Sequence, residues 1–92
     1  MKLLRVIHSP NPAKKWRAEF DDGTATDFGD ATMKDYTQHG DALRRNSYRA
    51  RHRKDLETGD PKRAGYLSYY LLWGDSKSLM SNIRAYKKRF NM

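Results

Sequence analysis

Lys14-Lys15-Trp16-Arg17-Ala18-Glu19-Phe20-Asp21-Asp22-Gly23-Thr24-Ala25-Thr26-Asp27-Phe28 is the stretch on which the reading of the fold turns. Trp16, Ala18 and Phe20 fall on one side of an extended chain and Lys15, Arg17 and Glu19 on the other, the period-two alternation of a strand with one buried and one wet face. Asp21-Asp22-Gly23 then supplies a hairpin turn, with Gly23 free to take positive φ. A two-residue loop at Asp22-Gly23 would pair Ala18 with Asp27 and set a carboxylate on the apolar face. A three-residue loop with Gly23 in a bulge instead pairs Phe20 with Thr24 and Trp16 with Phe28. The second register is expected, because a one-residue slip exchanges the two faces.

Upstream, Leu3 to Ile7 favours a further strand, and Pro10-Asn11-Pro12 separates it from the hairpin. Downstream, alternation is lost from Gly29 to Gly40, where a loop with one helical turn is expected. Three helical segments follow. Asp41 to about Asp55 is rich in Arg and Ala. Gly59-Asp60-Pro61 reads as a stop, an N-cap and a proline at the first position of a helix running from Pro61 to Trp73. Gly74 closes that helix, and Asp75-Ser76 offers the cap of a last one reaching about Phe90. In the last helix Leu79, Ile83, Tyr86 and Phe90 recur as an apolar stripe. The helix before it is apolar nearly all round, which makes it the central element, between the sheet and the other helices. The fold class is α+β: a small three-stranded antiparallel sheet followed by three α-helices. At 92 residues the chain suits a single domain over 1–92, with a β-rich half (1–40) and a basic helical half (41–92).

Cysteine is absent, which excludes disulfides, thiolate chemistry and Cys-based zinc sites. The apolar patch at Leu3–Ile7, interrupted by Arg5, is too short for a signal-peptide core, and the apolar stretch from Tyr66 to Trp73 is too short to span a bilayer. Neither secretion nor membrane insertion is expected.

The net charge of +8 is placed unevenly. Residues 1–40 carry six Lys/Arg and six Asp/Glu, whereas residues 41–92 carry thirteen and five. A one-sided basic field draws phosphate backbones or acidic surfaces. Its densest part is Leu43–Lys54, where Arg44, Arg45, Arg49, Arg51, Arg53 and Lys54 stand without an acid among them. Read as a helix, Arg45, Arg49 and Arg53 follow at four-residue steps, a spacing at which like charges repel. An anionic partner would relieve that repulsion, and arginine suits bidentate phosphate contacts. The bland alternative is a solvated helix that packs through its Arg stems. Arg84, Lys87, Lys88 and Arg89 form a second basic cluster, although cations in a final turn also oppose the helix dipole whatever the function. Most aromatic residues fall on core faces; Tyr48, among the arginines, is the one candidate for stacking on a base. No helix-turn-helix, zinc-finger, RNA-recognition or zipper pattern is present, so binding should follow the phosphate backbone rather than sequence. Asp27, Asp30, Asp35, His39 and His52 match no catalytic or metal-binding spacing, and Asp and Gly in such numbers usually make turns. No enzyme, cofactor or metal is expected.

Several segments taken together resemble a known family: His8-Ser9-Pro10-Asn11-Pro12 with Lys14-Lys15, Asp22-Gly23, Thr26-Asp27-Phe28-Gly29, Asp35-Tyr36-Thr37, Arg51-His52-Arg53-Lys54-Asp55, Gly59-Asp60-Pro61 and Tyr86-Lys87-Lys88-Arg89-Phe90. The family consists of small basic proteins of unknown function encoded by large nucleocytoplasmic DNA viruses, the giant viruses among them. It brings no catalytic residues. The resemblance implies a virion component in contact with the genome, located in the virion and in the host cytoplasm or nucleus. The expected function is therefore sequence-nonspecific nucleic-acid binding, with double-stranded DNA the leading partner. Docking on an acidic surface of a capsid or host protein is the alternative, and a homodimer would serve either.

Overall fold

A computed structural model describes all of residues 1–92. The sheet has the order β1 (Leu3–His8), β2 (Lys14–Phe20), β3 (Ala25–Asp30), antiparallel throughout. The hairpin takes the three-residue loop: Trp16 pairs with Phe28 and Ala18 with Thr26, Phe20 donates its amide to Thr24 O at 2.9 Å, and Gly23 sits at φ +84°. Ala18, Phe20 and Phe28 are buried as a result.

A bulge in β1, between Leu3 and Arg5, is not legible in the alternation. Leu3 and Val6 lie an odd number of residues apart and would face opposite ways in a regular strand. The extra residue restores parity, so that Leu3 pairs with Phe20 and Val6 with Ala18 on the core side, and Leu4 is left exposed. Gly29 and Asp30, expected in the following loop, belong instead to β3, because Lys14 pairs with Asp30 and Gly29 packs against Leu72.

The single helical turn in the next loop is α1 (Tyr36–His39), closed by a capping box between Asp35 and Gln38 and ended by Gly40. α2 (Ala42–His52) is capped by Asp41, whose side chain accepts from the amides of Leu43 and Arg44. It tightens to a 3₁₀ segment over Arg53–Thr58 and stops at Gly59. The middle helix does not begin at Pro61. Asp60 accepts from the Lys62 amide with its side chain and from the Arg63 amide with its carbonyl, which folds 60–63 into a turn with Pro61 inside it. Helix α3 (Ala64–Leu67) follows and widens into a π-helical segment, Ser68–Leu72, where Trp73 N–H reaches back five residues to Ser68 O. The chain is apolar on all sides here, so its periodicity carries no phase from which the widening could be read. The last helix, α4 (Leu79–Arg89), is capped by Ser78 rather than by Asp75-Ser76. Ser76 is held by Asn82, and Asp75 is drawn away toward α2.

One core joins the two halves of the sequence. Leu3, Ala18, Phe20 and Phe28 from the sheet meet Leu67, Leu71, Leu72 and Trp73 from the middle segment and Tyr86 from α4. The radius of gyration, 12.3 Å, is that of a compact chain of this length. No helix is long and apolar enough to cross a membrane.

Candidate nucleic-acid interface

The two halves treat their cations differently. On the outer face of the sheet, Arg5 pairs with Glu19 and Arg17 with Asp27 across directly opposed positions. Lys15 reaches the buried Asp35 at 2.7 Å. The Arg17 guanidinium holds the Asp27 carboxyl below the usual carboxylate range. In the helical half, Arg51, Arg53, Lys54, Arg84, Lys87, Lys88 and Arg89 have no carboxylate within 4.0 Å, and all but the half-buried Lys87 are exposed. Arg44 approaches Asp41 only loosely, at 3.8 Å.

Arg45 and Arg49 depart from the sequence reading. Both turn inward, with side chains only 19% and 24% exposed, and meet the end of the π-helical segment. Arg45 Nε donates to Gly74 O at 2.5 Å, and Arg49 Nη1 to Trp73 O at 3.4 Å. Both also pair with Asp75, at 2.6 and 3.4 Å. The Arg49 guanidinium lies over the Tyr69 ring at 4.4 Å. These two arginines serve carbonyls left open at a helical C-terminus, where cations are favoured. Their mutual repulsion is relieved from within, by Asp75, and Arg53 leaves the series where the helix tightens.

Tyr48 offers no free face. Its ring stacks on Trp73 on one side (4.2 Å, 7°) and on His52 on the other (4.1 Å, 24°). Burial, with the negative charge of Asp55, pushes its phenol up to about 12. It is a packing residue, with neither ring face open to stack on a base as the sequence suggests.

Two groups of cations flank α2, and Arg53, Lys54, Arg84 and Lys87 belong to neither. On one side Arg49 faces Lys88 and Arg89 of α4 across a cleft of ≈ 500 Å³ floored by Tyr70, Asn82 and Tyr86. Thus part of each basic cluster meets at one place. On the other side Arg44 and Arg51 join Lys34 around a shallower groove that includes Ser47 and the exposed Met33 and Leu43.

Asn82, which the sequence does not single out, positions the cleft. It is buried, donates to Leu71 O at 2.9 Å and Ser76 O at 2.8 Å, and accepts from Ser76 N–H at 3.1 Å. Its only sequence signal is a polar residue beside the apolar stripe of α4. The carboxylates and histidines weighed as a catalytic group are dispersed. Asp27 serves Arg17, Asp30 closes a turn on Thr32, Asp35 caps α1, His39 accepts the Asp41 amide and His52 meets Asp55. No three such side chains come together where a metal ion would sit.

Residues 4–52 match a family described as of unknown function (DUF5754). The match takes in the sheet, α1 and α2. No curated protein and no solved structure matches the chain.

Proposed function

The chain belongs to a family of unknown function (DUF5754), and from that starting point we propose that it is a non-enzymatic nucleic-acid-binding protein that grips the phosphate backbone without reading sequence. The observation that carries the proposal is the split in charge pairing. The sheet half pairs three of its six Lys/Arg, Arg5, Lys15 and Arg17, with carboxylates of its own, whereas nine of the thirteen in the helical half, all but Arg44, Arg45, Arg49 and Lys62, have none within 4.0 Å. An uncompensated cationic surface is a cost to the free protein that a polyanion turns into binding. Arg51, Arg53, Lys54, Arg84, Lys87, Lys88 and Arg89 make the contacts, helped by the exposed Arg44. Arg45 and Arg49 hold α2 in place, and Arg49 also lines the cleft beside Lys88 and Arg89. The likeness of the sequence to proteins of large DNA viruses supports a role in the virion, in packaging or condensing the genome, with double-stranded DNA as the partner.

A salt titration against duplex DNA, single-stranded DNA and RNA tests this. If about five phosphates are neutralised, log K falls against log salt with a slope near −4 to −5 on duplex DNA. A flat response ends the proposal.

One observation favours a second reading. The groove beside α2 combines the exposed apolar side chains of Met33 and Leu43 with Lys34, Arg44 and Arg51. That mixture suits an acidic, partly apolar protein surface, such as one on a capsid or host protein. A protein partner retained after nuclease treatment, with no binding to random DNA at moderate salt, would favour it.

A further inference from the structure

We propose that the cleft between α2 and α4 seats a single phosphate group, and that Asp75 is its resident counter-anion, displaced when the phosphate enters. The inference rests on the polyanion reading above and names one contact point within it.

Arg49, Lys88 and Arg89 line the cleft, and Arg45 reaches its edge through Asp75. Against these four cations stands one carboxylate, that of Asp75. The cleft, at ≈ 500 Å³, lies within the range of about 300–1,000 Å³ that small-ligand sites span. Two of its guanidinium groups are braced on aromatic rings, Arg49 on Tyr69 at 4.4 Å and Arg89 on Tyr70 at 5.0 Å. Bracing fixes the guanidinium plane, which suits a tetrahedral anion with several acceptor oxygens.

Two polar side chains of the floor are already engaged. Asn82 spends its amide on Leu71 and Ser76, and the Tyr86 hydroxyl donates to Pro61 O. The cleft therefore offers charge and ring faces, with no amide or Tyr86 hydroxyl left to read a base. The Tyr70 hydroxyl is the one floor side-chain group without a partner, so recognition falls chiefly on the phosphate.

Asp75 can yield its place. Its side chain is 91% exposed, and exposed ion pairs are weak. When it swings out, Arg45 keeps its bond to Gly74 O and Arg49 its bond to Trp73 O, so neither guanidinium is stranded. The carboxylate tames the cleft while it is empty and sets a threshold that only a stronger anion passes.

The test titrates the full chain with inorganic phosphate while backbone amide resonances are followed, then with random duplex DNA over a range of salt. Phosphate should move the amides of Gly74, Asp75, Lys88 and Arg89 before those elsewhere. Asp75→Asn should tighten phosphate and DNA alike by about two- to fivefold, the weight of an exposed ion pair. Glu57→Gln makes the same change in net charge at an exposed residue without an ion pair, and should do less. Lys88→Gln with Arg89→Gln, both exposed, should abolish the local phosphate response, while Arg53→Gln with Lys54→Gln leaves it intact. Shifts scattered over the whole surface, or an Asp75→Asn effect equal to that of Glu57→Gln, overturn the proposal. Salt-dependent DNA binding that ignores Asp75, Lys88 and Arg89 overturns the cleft and spares the polyanion reading. A local phosphate response with no DNA binding does the reverse.

Discussion

Gly29 stands in β3 at φ +84°, with the Leu72 side chain 2.8 Å from where a Cβ would lie. Two demands meet there, a left-handed backbone and a close approach of the sheet to the middle helix. Gly29→Ala is expected to cost about 2 kcal/mol, from backbone strain and the displaced Leu72, read as a lower urea midpoint at unchanged slope. Tyr48 gives a prediction of a different kind. Its phenol is held up near 12, mainly by burial, against an ordinary value of 10.0. The folded state thus favours the neutral form, and that contribution is complete below about pH 10 and lost as pH rises toward 12. Stability should fall across that window, and Tyr48→Phe should flatten part of the fall in urea midpoints taken at about pH 9 and 11. The residue also marks a limit of sequence reading. Its place among arginines suggests exposure, and Trp73, twenty-five residues on, covers the face that His52 leaves open.

At the scale of elements, β2 and β3 are legible because a pleated strand with one wet face writes its register into its side chains. The phase of Trp16, Ala18 and Phe20, with Gly23 to close the loop, leaves one pairing that keeps Phe28 inside. The middle helix writes no such phase, so its late start at Ala64 and its widening at Ser68 stay hidden. The cap of α4 is misread for a related reason: Asp75, Ser76 and Ser78 are all competent caps, and long-range bonds to Arg45 and Asn82 decide which one is used. Asn82 is what ties α4 to the end of the π-helical segment. Asn82→Ala would strand the Leu71 carbonyl in the core and release both polar groups of the Ser76 backbone. A loss of about 2–3 kcal/mol is expected. Amide exchange should rise over 74–78 before it rises in the sheet, because the broken bonds are concentrated in that connection.

Across the whole molecule, the imbalance of charge between the two halves is plain from the residue counts, but its distribution over the surface is not. Counting cannot tell that Arg45 and Arg49 turn inward and share a carboxylate, since their partner Asp75 lies thirty and twenty-six residues away. Nor can it tell that Arg49, Lys88 and Arg89 meet at one cleft while Arg44 and Arg51 open onto another groove. The proposed interface is therefore narrower than the full set of basic residues, and the difference is measurable. Lys2 and Lys14 are exposed and without carboxylate partners, as are Arg53 and Lys54, so removing either pair changes the net charge equally. If total charge governed binding, Lys2→Gln with Lys14→Gln would weaken duplex DNA binding as much as Arg53→Gln with Lys54→Gln. If the helical surface governs it, the second pair alone lowers the magnitude of the salt slope, by roughly 0.9 for each phosphate no longer neutralised. It does so equally on unrelated sequences, because the phosphate backbone carries no base information. Equal slopes for the two double variants would show that the binding follows net charge and has no place on the fold.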